Sequence, residues 1–261
     1  MYGRQRVFCC ISSDSQPANQ GQRWVRAVIE VTFRKGKRTI AGCGRVRFDL
    51  SKIQAYKMTY KYDIFISYMH DEQMEDWVHK HLLPFIRTFI GNALNRHAKI
   101  FVDRQGISAG DSWPLKLQQA IAHSRCLVPI WSPLYFHSEW CRRECAAMMH
   151  RETMVGFRTT TKPYGLVAPL NVFDGQYFPK KARQVQWLDC KRFWVVGDGF
   201  RKTERYIEFQ DVLRTWADDI ATIISLAPDW QADWIKSDCL YVDDAELMPV
   251  SAENFGFPGL D

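Results

Sequence analysis

The chain has 261 residues, 46% of them hydrophobic, 25% charged and 14% aromatic, which is enough apolar material for a sizeable core and too much for a disordered tail. No apolar run approaches the ~18 to 20 residues of a membrane span, and Met1 to Asp14 lacks the apolar centre of a signal peptide, so a cytoplasmic protein is expected. The formal net charge of +6 invites a polyanionic partner, but it divides unevenly: residues 1–57 carry 12 basic and 3 acidic side chains, residues 58–228 carry 22 and 18, and residues 229–261 carry 1 and 8.

In chain order the first expected element is a strand from Trp24 to Phe33, where Val25, Ala27, Ile29, Val31 and Phe33 alternate with Trp24, Arg26, Val28, Glu30 and Thr32 in a period of two. A turn at Arg34-Lys35-Gly36-Lys37-Arg38 and the alternation of Val46, Phe48 and Leu50 complete a hairpin. Arg23, Arg26, Arg34, Lys35, Lys37, Arg38, Arg45 and Arg47 offer charge for phosphates, yet Trp24 and Phe33 fall on opposite faces and form no stacking platform. Nucleic acid is therefore a minor reading. Met58 lies four residues before the next strand and is a candidate natural initiator, which would make 1–57 an extension.

From Tyr62 onward short apolar strands alternate with longer amphipathic helices. Strands are expected at Tyr62 to Tyr68, Lys99 to Asp103, Cys126 to Trp131 and Leu166 to Phe173. Helices are expected at Asp76 to Ile90, from a cap at Ser112 to His123, at Ser138 to Arg151 and at Ile207 to Ile224. This order predicts an α/β fold, a flavodoxin-like parallel sheet with helices on both faces and ligands at the carboxyl ends of its strands. The expected organisation is a basic extension over 1–57, an α/β domain over 58–228 and an acidic, aromatic tail over 229–261 that docks on the core or on a partner.

The eight cysteines contain no C-x-x-C pair, so neither a zinc ribbon nor a redox site is indicated. His137, Cys141 and Cys145 recur every four residues and would share one side of a continuous helix, but packed free thiols are the commoner reading, and no metal is expected. Gly106 and Gly110 do not form a G-x-G-x-x-G fingerprint, so no redox dinucleotide cofactor is expected.

Three segments carry a resemblance. Tyr62-Asp63-Ile64-Phe65-Ile66-Ser67-Tyr68 resembles the first box of Toll/interleukin-1 receptor (TIR) domains. Ile100-Phe101-Val102-Asp103-Arg104 with Ile107 to Trp113 resembles their second strand and BB loop, and Ser138-Glu139-Trp140-Cys141-Arg142-Arg143-Glu144 is similar to the Ser-x-Trp-Cys-x-x-Glu segment of the TIR domains that cleave NAD+. The similarity spans about residues 60 to 225 and is nearest to the free-standing bacterial type, on Pro169-Leu170 and Gln186-Trp187-Leu188-Asp189. Met69 and His70 stand where TIR hydrolases often carry basic residues, a departure that bears on phosphate recognition.

The resemblance implies an enzyme that takes NAD+ as substrate, with no further cofactor, and releases nicotinamide to leave ADP-ribose or a cyclic isomer, commonly in anti-phage defence. It implies self-association through the BB loop, Arg104 to Asp111, and a downstream effector that senses a cyclic product. Nicotinamide leaves as a neutral ring from a pyridinium, so no general acid is needed, and one carboxylate stabilises the oxocarbenium-like ribose as the bond stretches. Glu144 is the candidate for that role. Trp140, one helical turn earlier, shares its side of the helix and suits stacking on the cationic ring. Ser67 and Tyr68 end the first strand and are expected to line the same pocket; Asp103 and Trp113, by resemblance, face the nicotinamide or its ribose. Each has a plainer reading: Glu144 as a solvated carboxylate paired with Arg143 or Arg151, Trp140 as core, Asp103 as a loop cap, Trp113 as a plug. The competing function is a non-catalytic TIR–TIR adaptor, which has no need of a carboxylate at position 144.

Overall fold

A strand buried on both faces reads as a continuous apolar run rather than an alternating one, and Ile64-Phe65-Ile66 and Cys126-Leu127-Val128 are such runs, all fully buried. The computed structural model describes residues 25–27, 44–46, 59–102, 113–235 and 243–249. The chain divides into two units, Met1–Lys57 and Met58–Asp261.

In the first unit β1 (Val25–Ala27) pairs antiparallel with β2 (Gly44–Val46), with Val25 opposite Val46 and Ala27 opposite Gly44. The expected turn, the outer ends of the expected strands and the basic side chains offered to phosphates lie outside the described residues.

In the second unit five parallel strands form a sheet in the order β4, β3, β5, β6, β7. They are β3 (Tyr62–Tyr68), β4 (Ile100–Val102), β5 (Ser124–Trp131), β6 (Leu170–Asn171) and β7 (Leu188–Asp189). The helices are α1 (Glu72–Trp77), a π-helical stretch (Val78–Leu82), α2 (Leu83–Ala93), α3 (Trp113–Ala122), α4 (Pro133–His137), α5 (Glu139–Met154) and α6 (Glu204–Leu226). This is the flavodoxin-like arrangement the alternation predicts. None of the described helices is long and apolar enough to cross a membrane.

Successive residues of β3 face opposite sides of the sheet. Ile64, Ile66 and Tyr68 join the core formed with Trp77, Ile86, Phe209 and Leu213. Phe65 joins the other core, with Leu117 and Ile121 of α3 and Cys145 and Met148 of α5. At the start of β3 the buried Asp63 holds the Arg96 guanidinium through two hydrogen bonds of 2.6 and 2.7 Å and accepts from Lys99 N at 2.8 Å.

The short fifth strand β7 is not among the four expected, and two expected elements are interrupted at a proline. The expected strand from Leu166 to Phe173 is reduced to Leu170–Asn171 preceded by one bridge, Val167 opposite Leu127. Pro169 has no N–H to offer the ladder and interrupts it. The expected helix from Asp76 to Ile90 begins earlier, at Glu72, where the Asp71 carboxylate accepts from Met74 N at 2.8 Å, and it is broken by the π-helical stretch ahead of Pro84. In an α-helix Lys80 O would take its hydrogen bond from the N–H of residue 84, which proline lacks. Arg201 Nη2 donates to that carbonyl instead, at 2.7 Å. Arg201→Ala is expected to cost about 1 kcal/mol, read as a fall of ~2 to 4 °C in Tm; an unchanged melting curve would show that water serves the carbonyl as well.

The described parts of the acidic tail pack on the α/β unit. The Trp230 indole donates to Ala122 O at 3.0 Å and its ring stacks on His123, centroids 5.1 Å apart. Trp234 lies under the Arg151 guanidinium at 4.2 Å. Farther on, Asp244 pairs with Arg142 at 2.8 Å, and Leu247 is buried in the same core as Phe178 and Val185.

Three buried titratable groups set a pH dependence. Burial, with Arg201 beside it, holds the His81 imidazole below its ordinary value of 6.5, and burial does the same to His123. Below pH 6.5 the unfolded chain therefore binds protons that the folded chain refuses, and stability falls as pH drops. Burial alone would raise the Asp63 carboxyl, but the Arg96 hydrogen bonds and the Lys99 N–H hold it below its ordinary value of 3.8, so its contribution is present above that pH and lost beneath it. Tm is expected to be level above pH 7 and to decline from pH 6.5 to 5, with a shallower decline in His81→Gln. A level Tm down to pH 5 would contradict this assignment.

Candidate active site

The strand β5 ends at Trp131, and two serine caps follow in quick succession. Ser132 Oγ accepts from Tyr135 N at 3.2 Å and opens the single turn of α4; Ser138 Oγ accepts from Cys141 N at 3.4 Å and opens α5. The break at Ser138 leaves His137 exposed on a separate helix, so His137, Cys141 and Cys145 do not share a helix face as their spacing suggested. Cys126, Cys141, Cys145 and Cys190 are buried free thiols, and burial pushes Cys126, Cys145 and Cys190 far above the ordinary thiol value.

The caps bring Tyr135 beneath the first turn of α5. Its hydroxyl donates to Cys141 O at 3.0 Å and stands 3.0 Å from Ser67 Oγ. Ser67, from the carboxyl end of β3, donates to Glu144 Oε2 at 2.5 Å. All three side chains are fully buried. Glu144 is thus held inside the domain, not displayed to solvent as its plainer reading had it. Arg143 pairs with Glu139 at 2.5 Å and lies 5.7 Å from the Trp140 ring centre, while Arg151 donates to Ser124 O and Ile121 O at 2.8 and 3.0 Å. Trp140, one turn before Glu144, is half-buried against the same core as Cys141 and Cys145.

The sequence matches the family described as TIR domain over residues 64–202, just over half of the chain. The chain belongs to the TIR domain family. Among solved structures it is similar to the TIR domain of the Toll-related receptor TRR-2 from Hydra magnipapillata, at 18% identity over 58% of this chain and 98% of that one, with a TM-score of 0.37. It is also similar to the TIR domains of the activated Roq1 resistosome, at 18% identity over 69% of this chain and 96% of that one, with a TM-score of 0.32. A search of curated proteins found no match.

Within this TIR domain the residues singled out in the sequence separate. Ser67 and Glu144 meet. Tyr68 does not join them, because adjacent strand residues face opposite sides of the sheet: its ring lies 4.6 Å from His70, its hydroxyl is 3.4 Å from His79 Nε2, and it packs in the core of α1 and α6. Asp103 and the BB loop, Arg104 to Asp111, lie outside the described residues; Trp113 opens α3, and its side chain is likewise outside them. Tyr135 was missed. Its signal was available in the spacing of Ser132 and Ser138, two caps six residues apart, which confines the residue between them to a single tight turn.

Proposed function

We propose that this TIR domain cleaves the nicotinamide–ribose bond of NAD+, giving nicotinamide and ADP-ribose or a cyclic isomer, in bacterial anti-phage defence. The observation that supports this reading best is the Ser67–Glu144 hydrogen bond at 2.5 Å, which ties a carboxylate to the carboxyl end of β3, the edge where doubly wound sheets gather ligands. In this reading Glu144 stabilises the positive charge that develops on the ribose, and Ser67 holds the carboxylate in one rotamer so that little reorganisation is left for the transition state. Trp140 stacks on the pyridinium while it is still cationic and releases it once neutral. Self-association through Arg104 to Asp111 is part of the proposal. Such a head-to-tail contact is heterologous and propagates unless it closes. A cyclic product would serve as the signal to a separate effector.

A second reading, a non-catalytic TIR–TIR adaptor, is favoured by one observation: Glu144 is fully buried in the single chain, as a carboxylate that only joins β3 to α5 would be. Mass spectrometry of products after incubation with NAD+, over a series of protein concentrations, separates the two. Nicotinamide release with a specific activity that rises with concentration is the expected result. Self-association without nicotinamide at any concentration would establish the adaptor.

A further inference from the structure

We propose that Tyr135 is the positioning residue of this site, sharing one phenolic proton between Ser67 Oγ and Cys141 O and, through Ser67, orienting the Glu144 carboxylate. The inference rests on the NAD+-cleaving reading and deepens it.

Proton counting carries it. Three oxygen–oxygen contacts run in series: Glu144 Oε2 to Ser67 Oγ at 2.5 Å, Ser67 Oγ to Tyr135 Oη at 3.0 Å, and Tyr135 Oη to Cys141 O at 3.0 Å. The two hydroxyls hold one proton each. Ser67 commits its proton to the carboxylate. The Tyr135 proton then has two acceptors, a backbone carbonyl in the first turn of α5 and the serine oxygen. When it turns to Ser67, the serine becomes a stronger donor to Glu144, because hydrogen bonds in series polarise one another. When it turns to Cys141, the serine is left with an unshared lone pair facing the phenol oxygen. Bulk solvent does not reach the three groups, since Ser67, Tyr135 and Glu144 are all fully buried.

The tyrosine is fixed for this role at both ends. Its N–H is held by Ser132, its ring packs edge-on against Phe136 with centroids 5.3 Å apart, and burial keeps its phenol protonated well above the ordinary range. The other titratable groups facing it among the described residues are the thiols of Cys141 and Cys145 on α5; Cys145 in turn faces the Glu152 and Arg158 pair. Burial holds the Cys145 thiol protonated, so it does not exchange charge with the carboxylate near neutral pH.

Tyr135→Phe removes the hydroxyl and keeps the ring. In the full-length chain it is expected to lower kcat for NAD+ about tenfold while KM stays within about twofold, and to move the acidic limb of the pH profile to higher pH, because a weaker Ser67 donor stabilises charge on Glu144 less. Ser67→Ala is expected to give the same pattern, and the double variant to lose no more than Ser67→Ala alone, since the tyrosine acts through the serine. The infrared carbonyl band of protonated Glu144, identified by its loss in Glu144→Gln, supplies a readout free of turnover: in Tyr135→Phe it should appear at higher pH than in wild type. Additive losses in the double variant, or an unmoved infrared transition, would overturn the proposal. Wild-type protein without nicotinamide release would instead remove the catalytic reading, and the infrared arm would still decide whether Tyr135 positions Glu144. If Tyr135→Phe does not fold, Ser67→Ala carries the same infrared test: an unmoved band there overturns the proposal as well.

Discussion

Glu144→Ala is expected to lower nicotinamide release by about 10²- to 10³-fold. A fixed group that stabilises charge only as it develops contributes ~3 to 4 kcal/mol when removed, and each 1.36 kcal/mol is tenfold in rate. In the proposed mechanism no general acid acts at the leaving group, so no second residue would compensate. Glu144 is fully buried and receives the Ser67 hydroxyl at 2.5 Å, so the alanine variant also opens a cavity. Glu144→Gln is the better comparison. It keeps the shape and an acceptor for Ser67 while removing the charge and exchanging one oxygen for an NH2 donor, and it should lose nearly as much activity while melting close to wild type. Release of nicotinamide, followed by chromatography at saturating NAD+, checks both variants. Glutamine activity within about twofold of wild type would mean that the charge is not used. That result would leave the carboxyl as a structural link between β3 and α5.

Glu152→Ala is expected to have the largest effect on stability, about 3 to 5 kcal/mol and a fall in Tm of roughly 10 °C. Glu152 lies two turns beyond Glu144 on α5 and is buried, yet it serves the fold. One oxygen accepts from the backbone N–H groups of Leu166 and Val167, the latter at 2.8 Å, and the other accepts from Arg158 Nε at 2.6 Å. Arg158 in turn donates to Val167 O at 3.1 Å and sits at a φ of 55°, in the left-handed region. Removing the carboxylate leaves two buried N–H donors and a guanidinium without their acceptor. Gly165→Ala reaches the same joint from the other side, since an added Cβ would lie 2.2 Å from Arg158 Nη2 and 2.6 Å from Glu152 Oε1. The guanidinium is pinned by Glu152 and cannot swing away cheaply. Thermal or denaturant unfolding checks both; a loss under 1 kcal/mol in either would show that the joint relaxes.

Much of the candidate site was legible before any coordinates. The strand that ends at Trp131, the helix that begins near Ser138 and the placing of Trp140 and Glu144 on one side of it all follow from spacing within a few residues. The expected strand and helix run through Pro169 and Pro84, which lack the N–H those elements require, and the structure interrupts both. What stayed hidden was which buried carboxylate does what. Glu144 and Glu152 stand eight residues apart on one helix and look alike in sequence. One meets a serine from β3, and the other meets the backbone of a loop that begins after the helix ends.

The sequence by itself determined the alternation of strands and helices, the parallel sheet it entails and the helix that carries Trp140 and Glu144. Periodicity, caps and prolines act over a few residues and so are written locally. Only the tertiary structure decided that Ser67 and not Tyr68 faces Glu144, and that Tyr135 stands behind Ser67. Those contacts span 77 and 68 positions and depend on which face of β3 the helix α5 covers. A period of two says that neighbours on a strand point apart, but packing alone chooses which of them meets the carboxylate.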